Sequence, residues 1–178
     1  MSREKSVSEL MSEAVALGDV TAFDALLQAH PEEFRYADGR CSWLLSAADD
    51  GQLAILKYLH DRGVDVNERK AAQRGVPEGV VVTAANRGHL EATRWLLDHG
   101  AVLNHTVGGQ VRCFALSGAA SHGRVDIVRL LVEHGAAINA AWAGMTALDH
   151  ADTYGHREVH DYLRSAGAKT AAELAAGG

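Results

Sequence analysis

Apolar residues fall at helical spacing in five stretches of the chain: DVTAFDALLQA, QLAILKYLHDR, HLEATRWLLDH, RVDIVRLLVEH and HREVHDYLRSA. In the fourth, Val125, Ile127, Val128, Leu130 and Leu131 form one stripe. Two marks twelve residues apart bracket each stretch. Gly18, Gly51, Gly88, Gly123 and Gly155 stand before; His30, Gly63, Gly100, Gly135 and Gly167 stand after. The leading glycines are separated by 33, 37, 35 and 32 residues. A self-similar unit of that length is the signature of a solenoid of stacked helix pairs. The inner spacing is constant while the period drifts, so insertions fall in one connecting loop.

Glycine ends a helix readily because the left-handed conformation costs it nothing. Two such stops per unit predict two short helices per unit. The first helix ends at Ala47-Ala48-Asp49-Asp50-Gly51, Ala84-Ala85-Asn86-Arg87-Gly88 and Ala119-Ala120-Ser121-His122-Gly123. Paired alanines let neighbouring units approach closely, and the second helix carries the broader apolar stripe.

These marks resemble the ankyrin repeat family, whose unit runs roughly G-x-T-P-L-H-x-A-A-x-x-G-H-x-x-I-V-x-L-L-L-x-x-G-A-x-x-N. The best unit here is A-L-S-G-A-A-S-H-G-R-V-D-I-V-R-L-L-V-E-H-G-A-A-I-N, ending at Asn139; G-H-L-E-A-T-R-W-L-L-D-H-G-A-V-L-N ends at Asn104. The T-P-L-H tetrad is eroded and survives as Thr146-Ala147-Leu148-Asp149, while repeat three reads Gly79-Val80-Val81-Val82 there. The resemblance spans about residues 7–170. It implies an all-α solenoid with hairpin fingers and about five repeats, at 5–36, 37–67, 68–104, 105–139 and 140–170. The first and last are caps, the tail 171–178 is a frayed helix, and residues 1–178 form one domain. Arg157, His160 and Arg164 replace the Val125, Val128 and Val132 of repeat four, as a solvent-facing terminal repeat requires. In repeat one, His30-Pro31 ends the second helix without a glycine.

From the unit-ending Asn to the first alanine of the next pair, the family has 13 residues. Here Asn67 to Ala84 is 17 and Asn104 to Ala119 is 15. The third loop (ERKAAQRGVPEG) and the fourth (HTVGGQVRC) are therefore enlarged, and Gly108-Gly109 suits a tight hairpin. Surface loops absorb length at little cost, yet loops on a rigid scaffold are where binding residues tend to sit.

Composition narrows the function. The 178 residues are 47% hydrophobic, with net charge −6. That sign is wrong for a phosphate-binding footprint, so nucleic acid is disfavoured. Arg62, Arg69, Lys70 and Arg74 are a local exception, better suited to an acidic protein patch. No apolar run matches a signal peptide or a membrane span, and Cys41 and Cys113 imply no disulfide framework. A cytoplasmic protein, monomeric when free, is the expectation.

Candidate chemistry is sparse. His156 and His160 share a helix face, but H-R-E-V-H lacks the glutamate position of a zinc-protease helix and a third ligand, so no metal or other cofactor is expected. Asp49, Asp50, His122 and Tyr154 precede unit glycines and would share the groove. Acid, imidazole and phenol together permit proton transfer, although these positions are also the freely varying polar sites of the family. An enzyme or small-molecule binder using the groove is thus the alternative to a non-catalytic protein-binding module.

Aromatics divide by register. Tyr58, Trp95 and Tyr162 each lie seven residues after a unit glycine and read as packing. Trp43, Phe114 and Trp142 occupy non-consensus positions, where they are either interface anchors or covers over a neighbouring repeat. The resemblance implies partner binding on the concave face and fingers, at Trp43, Asp49, Asp50, Arg69, Arg74, Arg87, Arg112, Phe114, His122, Trp142, Met145 and Tyr154. The partner would be another protein. Some small bacterial ankyrin proteins neutralise a toxin, so sequestration, including an immunity role, is a further expectation.

Overall fold

A computed structural model describes residues 5–34, 42–68 and 79–177. Cys41, Arg69, Arg74 and most of the enlarged third loop lie outside these residues. The described residues contain eleven α-helices and one hairpin. Successive helices pair across turns of two or three residues: α1 (Val7–Leu17) with α2 (Val20–Ala29), α3 (Ser42–Asp49) with α4 (Leu53–Asp61), and α5 (Val80–Arg87) with α6 (Leu90–Asp98). Then come β1 (His105–Val107), β2 (Gln110–Arg112), α7 (Phe114–Ser121) with α8 (Val125–Glu133), α9 (Ala147–Thr153) with α10 (Arg157–Ser165), and α11 (Ala171–Ala176).

Two layers result. The first helices α1, α3, α5, α7 and α9 pack on one another in order, and the second helices α2, α4, α6, α8 and α10 do the same. The alanine pairs make the first layer close: Ala47, Ala48, Ala84, Ala85, Ala119 and Ala120 are fully buried. Between the layers lie the apolar stripes, including Ile55, Leu56, Leu96, Ile127, Leu131, Val159 and Leu163. Each fully buried leucine of this kind contributes about 1.5–3 kcal/mol.

The unit glycines do more than end helices. Gly51 and Gly123 are left-handed, at φ 69° and 67°. A side chain from the next unit also lies over each of them. The Nδ1 of His89 would be 2.4 Å from a Cβ on Gly51, and that of His156 2.6 Å from one on Gly123. Those histidines donate from Nε2 to the Asp49 and Ser121 carbonyls at 2.8 and 2.9 Å, satisfying helix-end acceptors of the preceding unit. Gln52 does the same to Ala16 at 2.6 Å.

A second set of staples uses the unit-ending asparagines. Asn67 donates to the Gly100 carbonyl and accepts from the Val102 amide, at 3.0 and 2.8 Å. Asn104 repeats this with Gly135 and Ala137, and Asn139 accepts from Lys169. Every unit boundary so served exchanges backbone hydrogen bonds through one side chain.

At the C-terminal end, Thr146 and Asp149 form a capping box, and Asp149 also accepts from the Ala171 amide at 2.9 Å. The tail forms the short helix α11. Thr170 and Glu173 cap α11, and Arg164 grips Glu173 at 2.7 Å, so its first turn is held against α10.

Candidate protein-binding surface

The positions just before the unit glycines line up along the first-helix layer because every pair stacks in one orientation. They border a groove of about 800 Å³ that runs from α3 across α5 to the turn between α7 and α8. Asp49 and Asp50 form one wall, Thr83, Asn86 and Arg87 the floor, and His122 and Arg124 the far wall. Four of the sequence-selected residues therefore meet in one place: Asp49, Asp50, Arg87 and His122.

Arg87 reaches back one unit to Asp49 with two parallel bonds, Nε to Oδ1 at 2.6 Å and Nη2 to Oδ2 at 3.1 Å. Both side chains are largely exposed, so the pair is worth under about 1 kcal/mol and serves mainly to orient the guanidinium. Asp50 and Arg124 have no ion-pair partner among the described residues. The groove thus offers one unpaired anion on one wall and one unpaired cation on the other.

His122 donates from Nδ1 to the Gly118 carbonyl at 2.8 Å, with the Ser121 hydroxyl 3.1 Å away. Tyr154 is 61% exposed and stacks flat on His150, centroids 6.5 Å apart. Burial pushes the His150 imidazole below its ordinary value, against the opposing pull of Asp149. No hydrogen bond joins Asp49 or Asp50 to His122 or Tyr154 among the described residues. Tyr154 is not among the residues that line the groove shared by Asp49, Asp50 and His122. His156 and His160 likewise face different partners, the Ser121 carbonyl and the carboxylates of Asp152 and Asp161.

The fingers hold the remaining candidates. β1 and β2 pair antiparallel about Gly108 and Gly109, whose φ values of 59° and 74° make the two-residue turn expected. Trp142 and Met145 exchange backbone hydrogen bonds at 2.8 and 3.0 Å around a second tight turn. Trp142 is half-buried and packs edge-on against Phe114 at 5.1 Å, with the Arg112 guanidinium 5.9 Å from its ring.

Two anchor assignments need correction. Trp43 is 6% exposed and Phe114 5%, so neither ring is available to a partner. Trp43 packs edge-on against Phe23 and donates from Nε1 to the Glu33 carbonyl at 2.6 Å. Phe114 lies between His105 and Trp142. Both are covers over adjoining units, the structural alternative that their sequence left open. Tyr58, Trp95 and Tyr162 do pack on the core as their register indicated. Sequence reasoning missed Asn86, Arg124 and His150. Their signal was the register itself, since Asn86 precedes its unit glycine by two residues and Arg124 follows its own by one.

No helix among the described residues is long and apolar enough to cross a membrane, and none of their side chains cluster as a three-ligand metal site. A family model for ankyrin repeats (three copies) matches residues 81–173. No curated protein matches the chain. Ankyrin repeats are generally protein–protein interaction modules and typically non-enzymatic. With the match covering just over half of its length, and with paired helices, left-handed unit glycines and asparagine staples repeating in phase, the chain belongs to the ankyrin repeat family.

Proposed function

We propose that this chain is a non-catalytic binding module that takes a partner protein on its first-helix face and fingers and acts by occupying that partner. The observation that carries the reading is the groove across α3, α5 and α7. Its lining is mixed, with charged side chains from three successive units (Asp49 and Asp50, Arg87, and Arg124) beside Leu45 and Val82. Such a surface is assembled before the partner arrives, so docking costs little ordering and charge complementarity can appear as affinity. A partner burying about 800 Å² per side would cover the groove and reach the fingers.

Sequestration of the partner is the simplest action of such a binding surface, and toxin neutralisation is the narrower case of the same act. The competing reading, an enzyme or small-molecule site in the groove, would need Asp50, His122 and Tyr154 to be brought together by a ligand. Photo-cross-linking separates the two. A cross-linking amino acid at position 122 should capture one protein in the source cell, and the same group at position 57 should not. Capture only from position 57, or native mass spectrometry showing a co-purified metabolite lost on His122→Ala, would overturn the binder reading.

A further inference from the structure

The fourth finger carries a feature that the groove does not use. In a two-residue hairpin the residues flanking the turn, Val107 and Gln110, exchange the hydrogen bonds, so the next pair is Thr106 and Val111 without them. The Val111 N–H and C=O therefore point away from β1, along the free edge of β2. Neither meets a partner elsewhere among the described residues. Val111 is also 49% exposed. An open strand edge with an apolar residue at its centre is a template for another strand.

A trough of about 540 Å³ lies beside this edge, between β2 and residues 137–141. Its lining is mostly apolar, with Ala137, Ile138, Ala140 and Ala141 opposite Val111. At its rim stands Arg112. The guanidinium has no carboxylate within ion-pair reach among the described residues, and its Nη2 is held by the Gln110 side chain at 2.5 Å. Its buried Nε has no partner either. Edge amide, apolar trough and an oriented, unpaired cation within three residues of β2 call for an occupant with the complementary set.

We propose that the edge of β2 and the adjoining trough dock an extended segment of a partner protein, which adds a strand beside Val111, seats an apolar side chain between Ile138 and Ala140, and pairs an acidic side chain with Arg112. The main-chain bonds supply affinity in any sequence; the trough and Arg112 choose among sequences. The site rests on reading the chain as a protein binder and names one class of partner segment. It is separate from the groove and can fail without it.

The test uses the full chain, labelled with nitrogen-15, and a short acetylated, amidated peptide of alternating valine and threonine with a central glutamate. The expected result is a saturable shift of the Val111 amide and the Arg112 side chain. Glutamine or lysine in place of the peptide's glutamate, and Arg112→Gln in the protein, should each weaken binding about tenfold. Val111→Pro removes the edge donor and should abolish binding; should that variant fold poorly, N-methylation of the facing peptide residue makes the same cut from the other side. Arg87→Glu in the groove should leave the peptide's affinity unchanged, which separates failure here from failure of the groove reading. Equal binding of the lysine peptide, shifts confined to the groove, no shift of Val111 at the peptide's solubility limit, or pairing of this edge with a second copy of the chain would overturn the proposal.

Discussion

Gly118 in α7 yields its side-chain space to Asn86 in α5: a Cβ on Gly118 would lie 1.9 Å from the Asn86 Oδ1. That oxygen is buried without a hydrogen-bond partner among the described residues, a state that costs about 1–3 kcal/mol. The pair is thus a local concession in the floor of the groove. Gly118→Ala alone should destabilise by about 1–3 kcal/mol through overpacking. Asn86→Ala should be neutral or stabilising. The double variant should exceed the parent by about 1 kcal/mol, because alanine is the better helix former once the clash is gone. Denaturant melts of the four proteins check the cycle, and additive effects would show that the two residues do not oppose each other.

The unit glycines should rank by what lies over them. Gly155 is left-handed at φ 73° with open space around it, so Gly155→Ala should cost about 1–2 kcal/mol for backbone strain alone. Gly123→Ala and Gly51→Ala must also displace a histidine that bridges two units, and should cost more. Gly88 faces the flexible Arg124 side chain at 3.0 Å and should fall between them. Equal losses at all four sites in thermal melts would reduce the glycines to helix stops.

Protonation of His150 should loosen the C-terminal unit. Burial lowers its folded-state affinity for a proton relative to the unfolded chain. The stability tied to neutral His150 is therefore complete above the ordinary value of 6.5 and is lost as the pH falls through and below it. Protection factors of α9 and α10 amides, taken relative to the intrinsic exchange rate at each pH, should fall between neutral and mildly acidic pH, and His150→Gln should flatten that dependence. An unchanged pH profile in the variant would place the effect elsewhere.

Stability should concentrate in the interior. Leu131 is fully buried between the layers, and Leu131→Ala should cost about 2–5 kcal/mol. Arg164→Ala breaks an exposed pair with Glu173 and should cost far less, although it should release α11. Comparable losses in equilibrium melts would contradict the assignment of α9 and α10 as a cap.

Most of the fold was legible because its signals repeat. A constant twelve-residue interval, alanine pairs and unit-ending asparagines each reported one local geometry several times over. The hairpin at Gly108-Gly109 was legible from the turn's demand for positive φ. Side-chain relationships between units were not, since they join residues more than thirty positions apart and depend on how the units stack. His89 over Gly51 and Asn86 against Gly118 are of that kind. Trp43 and Phe114 misled for a related reason: a non-consensus aromatic can cover a neighbour as readily as it can project, and only the packing decides. Four of the groove's residues, Asp49, Asp50, Arg87 and His122, were found by register, while its charge layout depended on which carboxylate Arg87 chose.

The most direct test of the account is the affinity of the cross-linked partner, measured by calorimetry, for four versions of the chain. Asp50→Lys and Arg87→Glu, on the first-helix face, should each weaken binding by more than about 2 kcal/mol. Lys57→Ala and Arg129→Ala, on the second-helix face, should bind as the parent does. Loss of binding in the Lys57 and Arg129 variants with none in the groove variants would contradict the central claim that the partner is held on the first-helix face.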